Sequence, residues 1–214
     1  MPTISDISNQ DIETVSALLI DNEPAGVITL ADSIRETAPN AITTLKQMGI
    51  KSFLLTGDNE RIAGAVANKL GMDGYLANVL PHEKQQKVIE FQDKGEVTAM
   101  TGDGVNDAPA LAQADVGISV GSGTDVAAET ADIVLVNSDP KDVVEMIAFG
   151  RATYRKMIQN LVWAVGYNIV AIPLAAGVLY PPHFTLSPAM GAVLMSLSTI
   201  VVAFNAQLLR TSFR

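Results

Sequence analysis

The stretch that decides the fold is Met100-Thr101-Gly102-Asp103-Gly104-Val105-Asn106-Asp107-Ala108-Pro109-Ala110-Leu111. Residues 97–100 predict the end of a buried strand, and Pro109 with the alanines around it predicts the start of a helix. Asp103 and Asp107 then lie in a glycine-rich corner beside free backbone N–H groups, a setting that can hold a divalent cation against a phosphate. A plain turn is the simpler interpretation of Gly, Asp and Asn after a strand. The length of the whole string favours a site.

Charge is distributed unevenly along the 214 residues. All 23 acidic residues lie between Asp6 and Glu145, whereas residues 151–214 hold five basic residues and no acidic one. We expect no nucleic-acid partner, because neutralising phosphates requires a basic face and the body of this chain is acidic. The sequence contains no cysteine, which excludes a disulfide framework or a thiolate metal site in this chain.

The basic end of the chain contains two uncharged apolar runs, residues 157–180 and 189–209. Each is long enough to cross a hydrocarbon core of about 30 Å as a helix. Basic residues precede the first run and follow the second, so both outer ends are expected to face the cytoplasm, with the Pro-rich connector, residues 181–188, on the opposite side. We therefore expect an integral protein of the plasma membrane with a cytoplasmic soluble part. A buried helical hairpin of a soluble protein is the alternative.

The soluble part alternates between strand and helix patterns. A hairpin is predicted over residues 14–30, and strands and helices then alternate up to residue 136, which predicts an α/β fold with a parallel sheet and helices on its faces. The expected organisation is a remnant segment over residues 1–13, an α/β domain over 14–150 and a two-helix membrane region over 151–214.

Three motifs stand where strands of this sheet end, which is where chemistry gathers in such folds. Thr56-Gly57-Asp58 offers a hydroxyl and a backbone N–H for phosphate oxygens, and Lys84 offers a positive charge. Asp103 and Asp107 offer hard oxygen ligands suited to Mg²⁺. Together they could clamp a phosphoryl group during its transfer. Taken singly, the first motif could be a turn and helix cap, and Lys84 could be a solvated side chain.

These motifs resemble those of the P-type ATPases, and the resemblance covers residues 15–210. The matching strings are Thr56 to Asn59, Leu80 to Lys84, Met100 to Leu111, Ala114 to Ile118 and Thr130 to Leu135. The resemblance implies a haloacid-dehalogenase-like phosphorylation domain that continues into membrane helices. It also implies Mg²⁺ as a cofactor, and ATP in the complete pump.

The resemblance further implies a role for each matching residue. Thr56 and Gly57, with Asp58 in the same motif, would contact the phosphoryl group, and Lys84 would neutralise its charge. Asp103 would bind Mg²⁺, and two residues of the same string, Asn106 and Asp107, would support that site.

Two features of the family are absent from this sequence. It has no Asp-Lys-Thr-Gly string to supply the nucleophile, and no nucleotide-binding domain. Because a carboxylate nucleophile is the centre of aspartyl-phosphate chemistry, we expect a partial phosphorylation domain that is inactive alone and needs the remainder of a pump. The alternatives are a non-catalytic partner that docks onto a full-length pump, or a membrane-tethered phosphatase. A phosphatase would need an Asp-x-Asp string, which is also absent.

The two apolar runs contain polar side chains that could bind a transported ion: Tyr167, Asn168, Met195, Ser198 and Thr199. Met195 and Thr199 share one helix face, and a thioether is a soft ligand suited to Cu(I) or Ag(I). These side chains could instead fill space and hydrogen-bond between helices. The Tyr-Asn and Met-Ser-x-Ser-Thr runs resemble the copper-transporting subgroup, which implies Cu or Ag as the transported ion.

Overall fold

The computed structural model describes residues 13–20, 23–31, 33–103, 105–121, 129–177 and 187–212. The chain divides into two compact units, Met1–Val144 and Glu145–Arg214. The predicted remnant segment lies almost wholly outside the described residues, as do residues 178–186, which contain the end of the first apolar run and most of the connector.

The first unit begins with the predicted β-hairpin. Strands β1 (Glu13–Ile20) and β2 (Glu23–Ala31) pair antiparallel, from Glu13 opposite Ala31 to Ile20 opposite Glu23. The register shifts between Leu18 and Leu19, where a bulge interrupts the ladder. The two strands form a sheet of their own.

Strands and helices alternate through the rest of this unit, as predicted. They are α1 (Ala38–Gln47), β3 (Phe53–Leu55), α2 (Glu60–Leu70), β4 (Gly74–Leu76), α3 (Lys84–Gln92), β5 (Ala99–Gly102), α4 (Ala108–Gln113), β6 (Val116–Val120) and β7 (Ile133–Leu135). Short 3₁₀ turns, Pro81–Glu83 and Val105–Asp107, lead into α3 and α4. The predicted α/β class is confirmed.

The parallel strands form two sheets, where the sequence predicted one. Strand β3 pairs with β4, and β5, β6 and β7 pair in that order. In the described part of the chain, no strand hydrogen-bonds to both β3 and β5, so the two sheets are not joined by a backbone ladder. Leu55 at the end of β3 nevertheless packs against a core cluster of Val88, Met100, Ala110 and Leu111, so both sheets contribute to one core.

An aspartate just before each of β4, β6 and β7 ties that strand to its neighbour. The carboxylates of Asp73, Asp115 and Asp132 accept backbone N–H bonds of 2.8 Å from Ser52, Thr98 and Gly117 respectively. The bond from the Thr98 N–H is the largest cause that holds the pKa of Asp115 below its usual value. These carboxylates lie where strands begin, which is the end of the sheet opposite to the candidate site.

The second unit is built from two long helices. Helix α5 (Pro140–Ala175) begins in the first unit and continues into the second, and α6 is Pro188–Ser212. The sequence predicts a helical link into the membrane over residues 139–155, and in the structure α5 runs without a break through these residues into the first apolar run. Both helices are long and apolar enough to span a membrane.

Candidate phosphate and metal sites

The side chains of Lys84 and Asp107 meet near the carboxyl end of β5, at the start of α3. The Lys84 ammonium lies 2.7 Å from Oδ1 of Asp107, and the two side chains are only 18% and 11% exposed. Lys84 is the first residue of α3, and Asp107 ends the 3₁₀ turn before α4. Removing either partner of a pair this buried would leave the other charge desolvated and uncompensated, which is strongly destabilising.

Gly102 makes the position of Asp107 possible. A Cβ atom added at Gly102 would lie 2.7 Å from both Cβ and Oδ2 of Asp107, closer than any real side chain can approach. The Asp107 carboxylate therefore occupies the space above β5 that a side chain at position 102 would fill. The glycine is needed for this close approach, and not only for a turn.

The loop after β3 is held in place by its own hydrogen bonds. The Thr56 hydroxyl donates to Oδ2 of Asp58 over 2.8 Å and accepts from the Asp58 N–H over 3.1 Å. The Thr56 N–H donates to Leu76 O, and Oδ1 of Asn59 caps α2 by accepting from the Ile62 N–H. Gly57 and Asp58 are exposed, so this preformed loop presents its backbone to solvent beside the core that β3 shares with β5.

The remaining residues of the predicted site are at the surface. Asp103 follows directly after β5, Asn106 lies in the 3₁₀ turn, and both are exposed. Among the described residues no three His, Cys, Asp or Glu side chains cluster as a metal site. Two carboxylates are nevertheless enough for Mg²⁺, which keeps several waters and is usually held by one or two carboxylates together with phosphate oxygens. The donor set of Asp103 and Asp107 therefore fits that ion.

In the second unit, half-buried residues mark the seam between the two long helices. From Lys156 onward on α5 they are Lys156, Asn160, Ala164, Tyr167, Ala171 and Leu174; on α6 they are Gly191, Ser198, Val201, Val202, Asn205 and Leu209. Polar side chains bond across the seam, as is usual in membrane helix pairs. The Tyr167 hydroxyl donates to Gly191 O over 3.4 Å.

The predicted ion ligands do not converge in this helix pair. Tyr167 and Ser198 lie on the seam, whereas Asn168, Met195 and Thr199 are exposed. Asn168 donates its amide to Ala164 O, and the Thr199 hydroxyl donates to Met195 O, so each uses a donor on its own helix. The oxygen atoms of both side chains stay available as ligands.

Sequence reasoning missed two features of these sites. One is the steric role of Gly102, which depends on where Asp107 folds back. The other is a polar cluster at one end of the helix seam, defined by Lys156, Gln159, Asn160 and Asn205. The Lys156 ammonium donates to Oδ1 of Asn205 over 2.8 Å, and the Asn205 amide donates to Asn160 and Gln159. The recurrence of Lys156, Asn160, Ala164 and Tyr167 at steps of four and three could have indicated this seam.

Comparison with known proteins adds three findings. A family model of haloacid dehalogenase-like hydrolases matches residues 3–115. The copper-exporting P-type ATPase B of Archaeoglobus fulgidus is 62% identical over 201 residues, which are 94% of this chain and 29% of that protein. The protein of the same description from Enterococcus hirae is 50% identical over 197 residues, 92% of this chain and 26% of the relative.

A solved structure is similar over nearly the whole chain. The crystal structure of a zinc-transporting PIB-type ATPase in its E2.Pi state matches with a TM-score of 0.81 at 34% identity, covering 96% of this chain and 33% of that one. The chain spans less than a third of the length of the two curated relatives.

Proposed function

The chain belongs to the haloacid dehalogenase-like hydrolases and is homologous to the C-terminal region of heavy-metal P-type ATPases, and on this premise we propose that it forms the Mg²⁺- and phosphate-binding half of a pump's phosphoryl-transfer site. The family resemblance found from the sequence motifs is confirmed. The complete pump, driven by ATP, would export a heavy-metal cation across the membrane.

The buried Lys84–Asp107 pair is the observation that carries this proposal. A surface ion pair would contribute little and indicate no function. This pair is largely withdrawn from solvent, is placed where β5 ends, and requires a glycine beneath it. In α/β sheets, ligands bind outside the carboxyl ends of the strands, which is where this pair lies.

Each residue of the half-site has a distinct task in this proposal. The Thr56 hydroxyl, which turns its one O–H from Asp58 to phosphate, and the Gly57 N–H bind phosphoryl oxygens, and Lys84 neutralises their charge. Asp103 and Asp107 hold Mg²⁺, with Asn106 beside them, and Asp58 keeps the Thr56 side chain oriented. Bound Mg²⁺ would supply charge neutralisation to the phosphoryl oxygens. The sequence contains no Asp-Lys-Thr-Gly string, so the phosphorylated carboxylate would come from the rest of the pump.

The proposal is tested by metal binding to the purified chain in detergent. Mn²⁺ replaces Mg²⁺ at oxygen sites and its free form is measured by electron paramagnetic resonance. We expect inorganic phosphate to tighten Mn²⁺ binding, and Asp103→Asn to weaken it at least about ten-fold, because a charged ligand is lost. Asp93→Asn, at another exposed aspartate, is the matched control. Equal binding by both variants and the parent chain would contradict the proposed site.

We further propose that the transported ion is Cu or Ag, bound by Tyr167, Asn168, Met195, Ser198 and Thr199 together with residues from the remainder of the pump. The relatives at 62% and 50% identity are described as copper-exporting, and neither apolar run contains a charged side chain. A thioether and uncharged oxygens suit a soft monovalent cation better than Zn²⁺. The exposed faces of Asn168, Met195 and Thr199 would be covered by other pump helices.

Competition for Cu(I) with a chromogenic chelator tests this assignment. Met195→Leu is expected to weaken Cu(I) binding about ten-fold because it removes the one soft ligand of the set. Met190 lies on the same helix and is 50% exposed, compared with 63% for Met195, so Met190→Leu is the control and is expected to leave the affinity unchanged. The same loss in both variants would indicate unspecific thioether binding and would reject the assignment.

A further inference from the structure

Ser119 in β6 is a buried side chain without a hydrogen-bond partner. Its hydroxyl is fully buried, and among the described residues it is the buried side-chain oxygen that makes no hydrogen bond. Leaving a buried hydroxyl unpaired costs free energy, so such a group needs a reason. Nothing in the proposed task of the site uses Ser119.

The strand register places Ser119 beside the Asp107 carboxylate. Ser119 is the partner of Gly102 in the parallel β5–β6 pair, and registered residues of neighbouring strands point to the same face of the sheet. The missing side chain of Gly102 would point straight into Oδ2 and Cβ of Asp107. The Asp107 carboxylate therefore lies over the face of the sheet from which the Ser119 side chain projects, about one strand spacing, ~4.8 Å, to the side.

The neighbouring glycine confirms which face this is. Gly117 is two residues before Ser119, so both project from the same side of β6. A Cβ atom at Gly117 would lie 2.5 Å from Leu111 O in helix α4. The helix that begins immediately after Asp107 thus covers this face, and it closes Ser119 off from solvent.

We propose that Ser119 is a positioning residue that donates a hydrogen bond to Oδ2 of Asp107 when Mg²⁺ and phosphate occupy the site, an inference that rests on the proposed function. Oδ1 of Asp107 is held by Lys84 at 2.7 Å. The Lys84 ammonium has three donors, and when some of them bind phosphate its charge is shared between phosphate and Asp107, so its hold on Asp107 weakens. A hydroxyl beside the other carboxylate oxygen keeps Asp107 oriented during that change, as outer-shell donors do at metal sites.

The substitution Ser119→Ala separates this role from a structural one. Without ligands the variant loses only an unpaired hydroxyl, so its melting temperature is expected to rise by about 2–4 °C. With phosphate present, its affinity for Mn²⁺ is expected to fall about 5- to 10-fold, the effect of one hydrogen bond to a charged ligand. A residue that merely supports the fold would lower both quantities together. Ser52→Ala, next to the other sheet, is the control and is expected to change neither.

The outcomes distinguish the inference from the function on which it rests. Failure of the parent chain to bind Mn²⁺ with phosphate would overturn the proposed function and this inference with it. Binding by the parent chain that Ser119→Ala leaves unchanged would overturn the inference alone. A lower melting temperature of Ser119→Ala would also overturn it, because the hydroxyl would then have a partner in the ligand-free protein.

Discussion

Gly102 shows how one residue without a side chain controls a site of charged residues. The position of Asp107 depends on empty space above β5, and the ion pair with Lys84 depends on the position of Asp107. Sequence alone could identify Asp107 and Lys84 as chemically useful, because their types and their places after strand patterns are visible in the chain. It could not show that the two meet, since they are 23 residues apart and only the fold brings them together.

The substitution Gly102→Ala tests this dependence. The new methyl group must displace the Asp107 carboxylate from Lys84, and we expect a loss of about 1–3 kcal/mol in the free energy of unfolding, as for overpacked buried sites. Phosphate-dependent Mn²⁺ binding should be lost as well. Gly150 lies in helix α5, and a Cβ atom added there would meet no atom within 4 Å. The control Gly150→Ala should therefore leave the free energy of unfolding unchanged or raise it slightly. Retention of metal binding by Gly102→Ala would show that Asp107 is not held this way.

Among the elements, the aspartates before β4, β6 and β7 bond to neighbouring strands at one end of the sheet, whereas the aspartates of the candidate site lie at the other end. Asp115 and Asp132 belong to strings that resemble the pump family, and in the structure their carboxylates accept N–H groups from neighbouring strands. Asp103 and Asp107 lie at the opposite strand ends. Residue type cannot separate the two groups, because a carboxylate that caps a strand and one that binds a metal look alike in sequence.

The long helices are joined by the polar cluster of Lys156, Gln159, Asn160 and Asn205. Its bonds link α5 to α6 at the end that contains the basic residues. Further along the seam, the Tyr167 hydroxyl donates to Gly191 O. The cluster therefore fixes the register in which Tyr167 and Ser198 share the seam.

A double-mutant cycle measures the strength of this cluster. Asn205→Leu and Lys156→Met are each expected to destabilise the helix pair in detergent. The double variant is expected to lose less stability than the sum of the two single losses, with a coupling energy of about 0.5–1.5 kcal/mol. Gln207 is exposed on the same helix, so Gln207→Leu should be additive with Lys156→Met. Additive losses in the Asn205 cycle, read from thermal unfolding, would mean that the observed bond contributes no stability.

At the scale of the whole molecule, the exposed apolar side chains are concentrated on α5 and α6. Leu161, Val162, Ile169, Val193 and Phe204 are each more than half exposed. A soluble protein rarely exposes apolar residues so densely, whereas lipid or other membrane helices would cover them. This distribution supports the proposed membrane placement and the proposed contact with the remainder of a pump.

The orientation in the membrane can be tested because the chain contains no cysteine. The basic residues flanking the two helices predict that the soluble unit faces the cytoplasm and the connector faces the other side. In intact cells, Ser187→Cys should react with a membrane-impermeant maleimide, and Lys94→Cys should react only after the membrane is permeabilised. The reverse labelling pattern would reject this orientation.

The sequence by itself determined the α/β class, the hairpin, the apolar helices and the identity of the chemical groups, because each depends on local patterns of residue type, charge and spacing. The tertiary structure alone decided what depends on distant contacts. It divided the parallel strands into two sheets, brought Lys84 to Asp107 over Gly102, and left Ser119 of the neighbouring strand buried without a hydrogen-bond partner. Close approach between segments far apart in the chain is a property of packing, and no local pattern specifies it.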